Sequence, residues 1–213
     1  MQSATTSMIS ALADADGSVR LKAAMAAGST PQPAVLDAPI VRCAVEPDFY
    51  VRDMLTWALT RFDPALVVPR LLVEVVSECA QARSQALHTL SKIRDPVTWD
   101  AITPSLLRDP DEEVAKSAWR AAVALVPVGQ EPALAEVLAL QFGRGGREMQ
   151  LSLSRALVAL GEDAIMPVLR RAMANSDVSV SAHAQATERL LREPQAGSEF
   201  AVGQVKRLFA PGQ

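Results

Sequence analysis

At 213 residues, 49% of them hydrophobic, the chain is long enough to bury a substantial core, which excludes disorder as a global description. Aromatic residues are only 4%, so the core must be filled by Ala, Leu and Val at close helix contacts, and an all-β fold is disfavoured. A net charge of −3 and a pI near 5.5 lack the basic surplus of a protein that neutralises many phosphates, while leaving room for a locally basic face.

The opening residues, MQSATTSMISALADADG, have no positive n-region and meet acidic residues early, so they do not read as a secretory signal. No apolar run approaches the about 20 residues that span a bilayer. Both features predict a cytoplasmic chain with no membrane partner. Cys43 and Cys79 fall in different segments without a C-x-x-C or a His cluster, and are expected to be buried, reduced thiols.

One pattern recurs along the whole chain. It is clearest at Val19-Arg20, Val51-Arg52 and Val114-Ala115, and the same columns run from Ala82-Arg83, Met149-Gln150 and Val180-Ser181. Successive anchors stand 31 to 35 residues apart, the length of one helical hairpin. Four positions after the anchors come Ala23, Leu55, Ala86, Ala118, Leu153 and Ala184; eleven after come Phe62, Ile93, Leu125, Leu160 and Leu191. This is the stripe of a helix that buries one face. Asp16, Asp48, Asp111 and Asp177 stand three positions before their anchors, where a carboxylate accepts from free N–H groups of the first turn, and they read as N-caps rather than as catalytic acids.

In chain order the hairpins are predicted at residues 9–30, 34–62, 65–94, 98–126, 132–160 and 163–192, with an amphipathic capping helix at 199–209, all in a single repeat domain spanning 1–213. The first helices of five hairpins are expected from Ala34 to Ala44, Ala65 to Ser77, Thr98 to Arg108, Pro132 to Phe142 and Asp163 to Ala174. Pro39, Pro69, Pro104 and Pro167 should kink these helices or delay their start. The run from Gly143 to Gly146 reads as a hairpin connector, since it lacks the GK[ST] ending of a phosphate-binding loop.

The segments DGSVRLKAAMAAG, PDFYVRDMLTWAL and DPDEEVAKSAWRAAVAL, with their D-x-x-V-R or D-x-x-V-A core, resemble the second helices of HEAT repeats of the short bacterial type, often called PBS-lyase HEAT-like. The resemblance runs from about Ile9 to Leu191; the motif Arg is replaced by Ala115, Gln150 and Ser181 in the last three repeats. It implies an all-α fold, a right-handed α-solenoid of about six hairpins. It also implies that the second helices line the concave face, where such proteins bind their partners, and that Arg20, Arg52 and Arg83 pair with loop carboxylates of neighbouring repeats.

On that face the column six after each anchor holds Met25, Trp57, His88, Arg120, Arg155 and Ala186, beside the buried stripe. Trp57, His88, Arg120 and Arg155 are the central binding candidates, with Arg61, Lys92, Lys116 and Asp53 on the same helices. Acidic residues such as Glu74 and Glu136 lie on the first helices instead. A relatively basic groove with an aromatic at one end predicts a non-catalytic scaffold for a protein or acidic peptide, with nucleic acid less favoured. Trp99 and Trp119 are expected in the core.

Enzyme chemistry lacks its parts. His88 and His183 are the only histidines, no G-x-S-x-G, H-E-x-x-H or P-loop is present, and nothing calls for a metal or cofactor. The resemblance supplies the alternatives: an alkylpurine DNA glycosylase of the HEAT-like type, which would use Asp53 beside Trp57 one turn away, a DNA-associated accessory module of a transcription regulator, or a bilin lyase.

Overall fold

Each anchor segment forms a helix held by an apolar stripe, and in four of the six an aspartate starts it. The computed structural model describes residues 2–193, with side chains from residue 5; the expected capping helix at 199–209 lies outside the described residues. These residues form twelve α-helices joined by short turns, with no strand among them. The helices are α1 Gln2–Leu12, α2 Gly17–Ser29, α3 Asp37–Cys43, α4 Phe49–Leu59, α5 Pro64–Val75 and α6 Ala80–Ile93. They continue as α7 Pro104–Leu107, α8 Glu112–Leu125, α9 Glu131–Ala139, α10 Arg147–Val158, α11 Glu162–Met173 and α12 Val178–Arg192. The first hairpin begins seven residues earlier than the periodicity predicts, at Gln2 instead of residue 9, because α1 is polar on its early turns and shows little stripe.

The chain divides into two compact units, one ending at Pro127 and the other beginning at Val128. In the first, α2, α4, α6 and α8 pack in succession as one layer, and α1, α3 and α5 form the layer behind them. A 3-10 turn at Pro96–Ala101 and the short α7 complete that layer. In the second unit α10 packs on α12 and α9 on α11. Within each unit consecutive hairpins thus stack like on like, the arrangement of an all-α solenoid.

The N-cap expectation holds at all four aspartates. Asp16 accepts from the Ser18 N–H, Asp48 from Tyr50 and Val51, Asp111 from Glu113 and Val114, and Asp177 from Ser179 and Val180. The buried stripe holds in full four positions after the anchors, where Ala23, Leu55, Ala86, Ala118, Leu153 and Ala184 are all buried; eleven after, Phe62, Leu125 and Leu160 are buried and Ile93 and Leu191 half-buried. Trp119 is 0% exposed and its indole N–H donates to the Leu107 carbonyl at 2.8 Å, so its one polar atom is satisfied inside the core. Trp99 is only half-buried, on the 3-10 turn.

The prolines split. Pro104 starts α7, and Pro39 sits in the first turn of α3, but Pro69 and Pro167 lie inside α5 and α11. Both interior prolines are exposed, as are Ala65 and Asp163, whose carbonyls lose their helical donor, so the missing bond falls on the solvent side.

Cys43 is buried, and burial pushes its thiol up to about 12. Cys79 departs from the expectation: it is exposed, because it occupies the N-cap position of α6, outside the helix's buried stripe.

Candidate binding face

The motif arginines are structural. Arg20 donates to both carboxylate oxygens of Glu46 at 2.7 and 2.8 Å, and reaches back to the carbonyls of Asp14 and Ala15. Arg83 repeats this with Asp109 and the carbonyls of Ser77 and Glu78. Arg52 caps the carbonyls of Glu46 and Pro47 but meets no forward carboxylate.

The reason lies one repeat on. The forward carboxylate also accepts from the N–H of the next N-cap residue, as Glu46 does from Asp48 and Asp109 from Asp111. In the repeat after Arg52 that position is Ser77, whose hydroxyl accepts from Cys79. Glu46 is 0% exposed and also bonds Arg42 at 2.7 Å. Arg20, Arg42 and the Asp48 N–H hold its carboxyl down at about 2 against the opposing effect of burial.

With these arginines accounted for, the second-helix layer of the first unit presents Met25, Trp57, His88 and Arg120 from α2, α4, α6 and α8. Met25, Trp57 and Arg120 are exposed and His88 is half-buried. Trp57 is 40% exposed, and its other side packs on α2 at Gly28. One edge of the indole packs on the neighbouring helix and part of the ring faces solvent.

Arg120 is positioned by a chain of hydroxyls. Its Nη2 donates to Ser117 Oγ at 3.0 Å, and Ser117 Oγ lies 3.0 Å from Ser84 Oγ on α6. Ser84 in turn donates to the Glu113 carbonyl. His88 is one turn beyond Ser84. Burial, then the positive charges of Arg120 and Lys92, pull His88 down to about 4, against the opposing charge of Asp53. His88 therefore feels groups from the helix before it, its own helix and the helix after it. Partial burial also lowers Arg120, with Glu113 opposing.

The other candidates distribute unevenly. Asp53 on α4 and Lys92 in the last turn of α6 are exposed, and Arg61 is exposed just past the end of α4. Arg155 is exposed on α10, in the second unit. Lys116 departs from the expected exposure: it is 6% exposed, with Nζ 2.6 Å from Glu113 Oε1, because its column turns inward on α8. Among the described residues no group of three or more His, Cys, Asp or Glu side chains could hold a metal ion. No helix among them is long and apolar enough to cross a membrane.

Gly28, Ser84 and Ser117 escaped the sequence reading. The signal for Gly28 was present, since a glycine within the helical run AAMAAGS costs helix stability and marks a close approach. The serines carry no such signal, because hydroxyls on a helix commonly bond their own backbone.

The family comparison agrees with this architecture. Residues 38–124, from α3 to the end of α8, match the family model for HEAT repeats. The chain is similar to an engineered protein of known crystal structure, at 20% identity over 89% of this chain and 96% of that one, with a TM-score of 0.47. No curated protein matches.

Proposed function

We infer that this chain, whose residues 38–124 match HEAT repeats, is a non-catalytic scaffold whose second-helix face, the concave side in such repeats, engages a protein or acidic peptide. The observation that carries this reading is the column in the first unit: a half-exposed Trp57 anchored at Gly28, followed by His88 among Lys92, Arg120 and Asp53. Trp supplies contact area at little entropic cost, because one edge of its ring is already immobilised. Arg120 supplies a planar fork for a carboxylate, pre-aimed by Ser117.

The partner that fits offers an apolar side chain to Trp57 and a carboxylate to the His88 and Arg120 end. In the second unit Arg155 on α10 carries an exposed guanidinium of the same kind. The test is a peptide array in which an apolar residue precedes Asp or Glu, paired with the Asn and Gln versions. The reading expects capture of the acidic series and loss on neutralisation. Equal capture of both series, or tight duplex-DNA binding with a steep salt dependence, overturns it.

A further inference from the structure

His183 on α12 is 3% exposed, and both of its ring nitrogens are engaged. The backbone N–H of Gly143, in the turn between α9 and α10, donates to Nδ1 at 3.1 Å. Nδ1 therefore carries no proton, and the neutral ring holds its proton on Nε2. Nε2 lies 2.9 Å from the Gln150 carbonyl oxygen and 3.1 Å from Ser154 Oγ, both on α10.

The hydroxyls complete a directed chain. Thr187 Oγ1 donates to the His183 carbonyl at 2.9 Å, so in its 2.8 Å contact with Ser154 Oγ it accepts and Ser154 donates. That leaves Ser154 Oγ as an acceptor towards Nε2–H, which it shares with the Gln150 carbonyl. Every proton in the network has one consistent place, and Phe142 closes the pocket edge-on, with ring centroids 5.0 Å apart. Gly143 is held at φ +81°, and a side chain there would press on Ser179 and Val180 of α12, so the turn and the helix meet closely.

We propose that this network is an acid-released latch: a second ring proton, on Nδ1, sets two donors against each other at Gly143, and α12 comes away from α10 and the α9–α10 turn. The groups facing His183 are uncharged, namely the Gly143 N–H, the Gln150 carbonyl, the Ser154 and Thr187 hydroxyls and the Phe142 ring. No carboxylate among them compensates an imidazolium. Of the charged side chains nearest in sequence, Arg144 bonds Gln141, Glu188 bonds Arg192 and the Asp177 carboxylate caps α12, while Arg147 and Glu148 in the first turn of α10 are exposed.

Burial also lowers His183 from its ordinary value of 6.5, with the Gln150 carbonyl opposing. A histidine lowered in the folded state contributes stability that is complete above 6.5 and is lost as pH falls through the lowered value. The latch is closed at neutral pH and opens on acidification, uncovering the faces of α10 and α11 on which α12 packs. In the first unit the matching hydroxyl pair, Ser84 with Ser117, ends on Arg120, whose charge does not change in this range.

The test is native-state hydrogen exchange on the full chain at about pH 7 and about pH 5, corrected for the intrinsic pH dependence of amide exchange. Amides of α12 and of residues 143–146 should lose about tenfold or more of their protection, while α8 keeps its own. In His183→Gln, which keeps a neutral donor, that acid step should vanish. Unchanged α12 protection in the parent, or the same acid loss in His183→Gln, overturns the proposal.

Should His183→Gln fail to fold, His88→Gln leaves His183 as the sole histidine for titration by NMR. Titration below 6.5 in step with the opening of α12 supports the latch. Titration at 6.5 or above with α12 still protected contradicts it.

Discussion

Gly28 on α2 lies directly against the indole of Trp57 on α4: a methyl group at Gly28 would stand 2.8 Å from Trp57 Cε3 and 2.7 Å from the Ala58 Cα. Real side chains do not tolerate such distances, and Ala58 is backbone, so the helices themselves would have to part. Gly28→Ala is therefore expected to destabilise the first unit by roughly 1–3 kcal/mol even though Ala is the better helix former. Urea unfolding measures this, and a stability equal to or above the parent would show that the contact is loose.

Loss of an N-cap is a smaller and local effect. Asp48→Ala or Asp111→Ala should each cost about 0.5–2 kcal/mol, since each strands the first-turn N–H groups it now satisfies. Unchanged urea midpoints for both would mean that these caps contribute nothing.

Glu46 behaves differently because it is buried between two guanidinium groups. Glu46→Ala leaves Arg20 and Arg42 without their shared anion and should cost about 3–5 kcal/mol. Arg52→Ala, with no forward carboxylate to orphan, should cost visibly less. The pH dependence carries the matching sign. Glu46 is lowered from 4.5 to about 2, so its contribution is complete above 4.5 and is lost as pH falls towards 2. Glu46→Gln should flatten that part of the acid stability curve, which a thermal-unfolding series at successive pH values records.

His88 gives the proposed face its own pH signature. Free, it is held at about 4 by burial and by Arg120 and Lys92. An anion bound beside it raises it again, so an acidic peptide should bind more tightly as pH falls from 6.5 towards 4. In His88→Gln the affinity should lose this slope. Calorimetry in buffers of different protonation enthalpy reads the proton uptake directly.

How much of this was legible follows from what each residue depends on. The caps and the stripe were readable because each rests on local periodicity, and the Arg20 and Arg83 ion pairs because the resemblance to HEAT repeats implies them. The α5 and α11 helices run through their prolines because those prolines face solvent, and orientation on a first helix is not fixed by spacing alone. Lys116 shares its helix with Arg120 yet turns inward, and the exposed Cys79 looks in sequence like any small apolar residue. The seat of Trp57 at Gly28, and the hydroxyls that aim Arg120, depend on contacts about 30 residues apart that leave no mark on either helix's own pattern.

The claim that the second helices carry the binding face is tested most directly by comparing peptide affinity across two sets of variants, each checked by thermal unfolding. With an acidic peptide selected on the array as probe, Trp57→Ala and the double change Arg120→Glu with Arg155→Glu should each weaken binding by about tenfold or more while the fold persists. Glu74→Ala and Glu136→Ala, on the first helices, should bind as the parent does. The opposite pattern, intact affinity in the first set and loss in the second, would contradict the account.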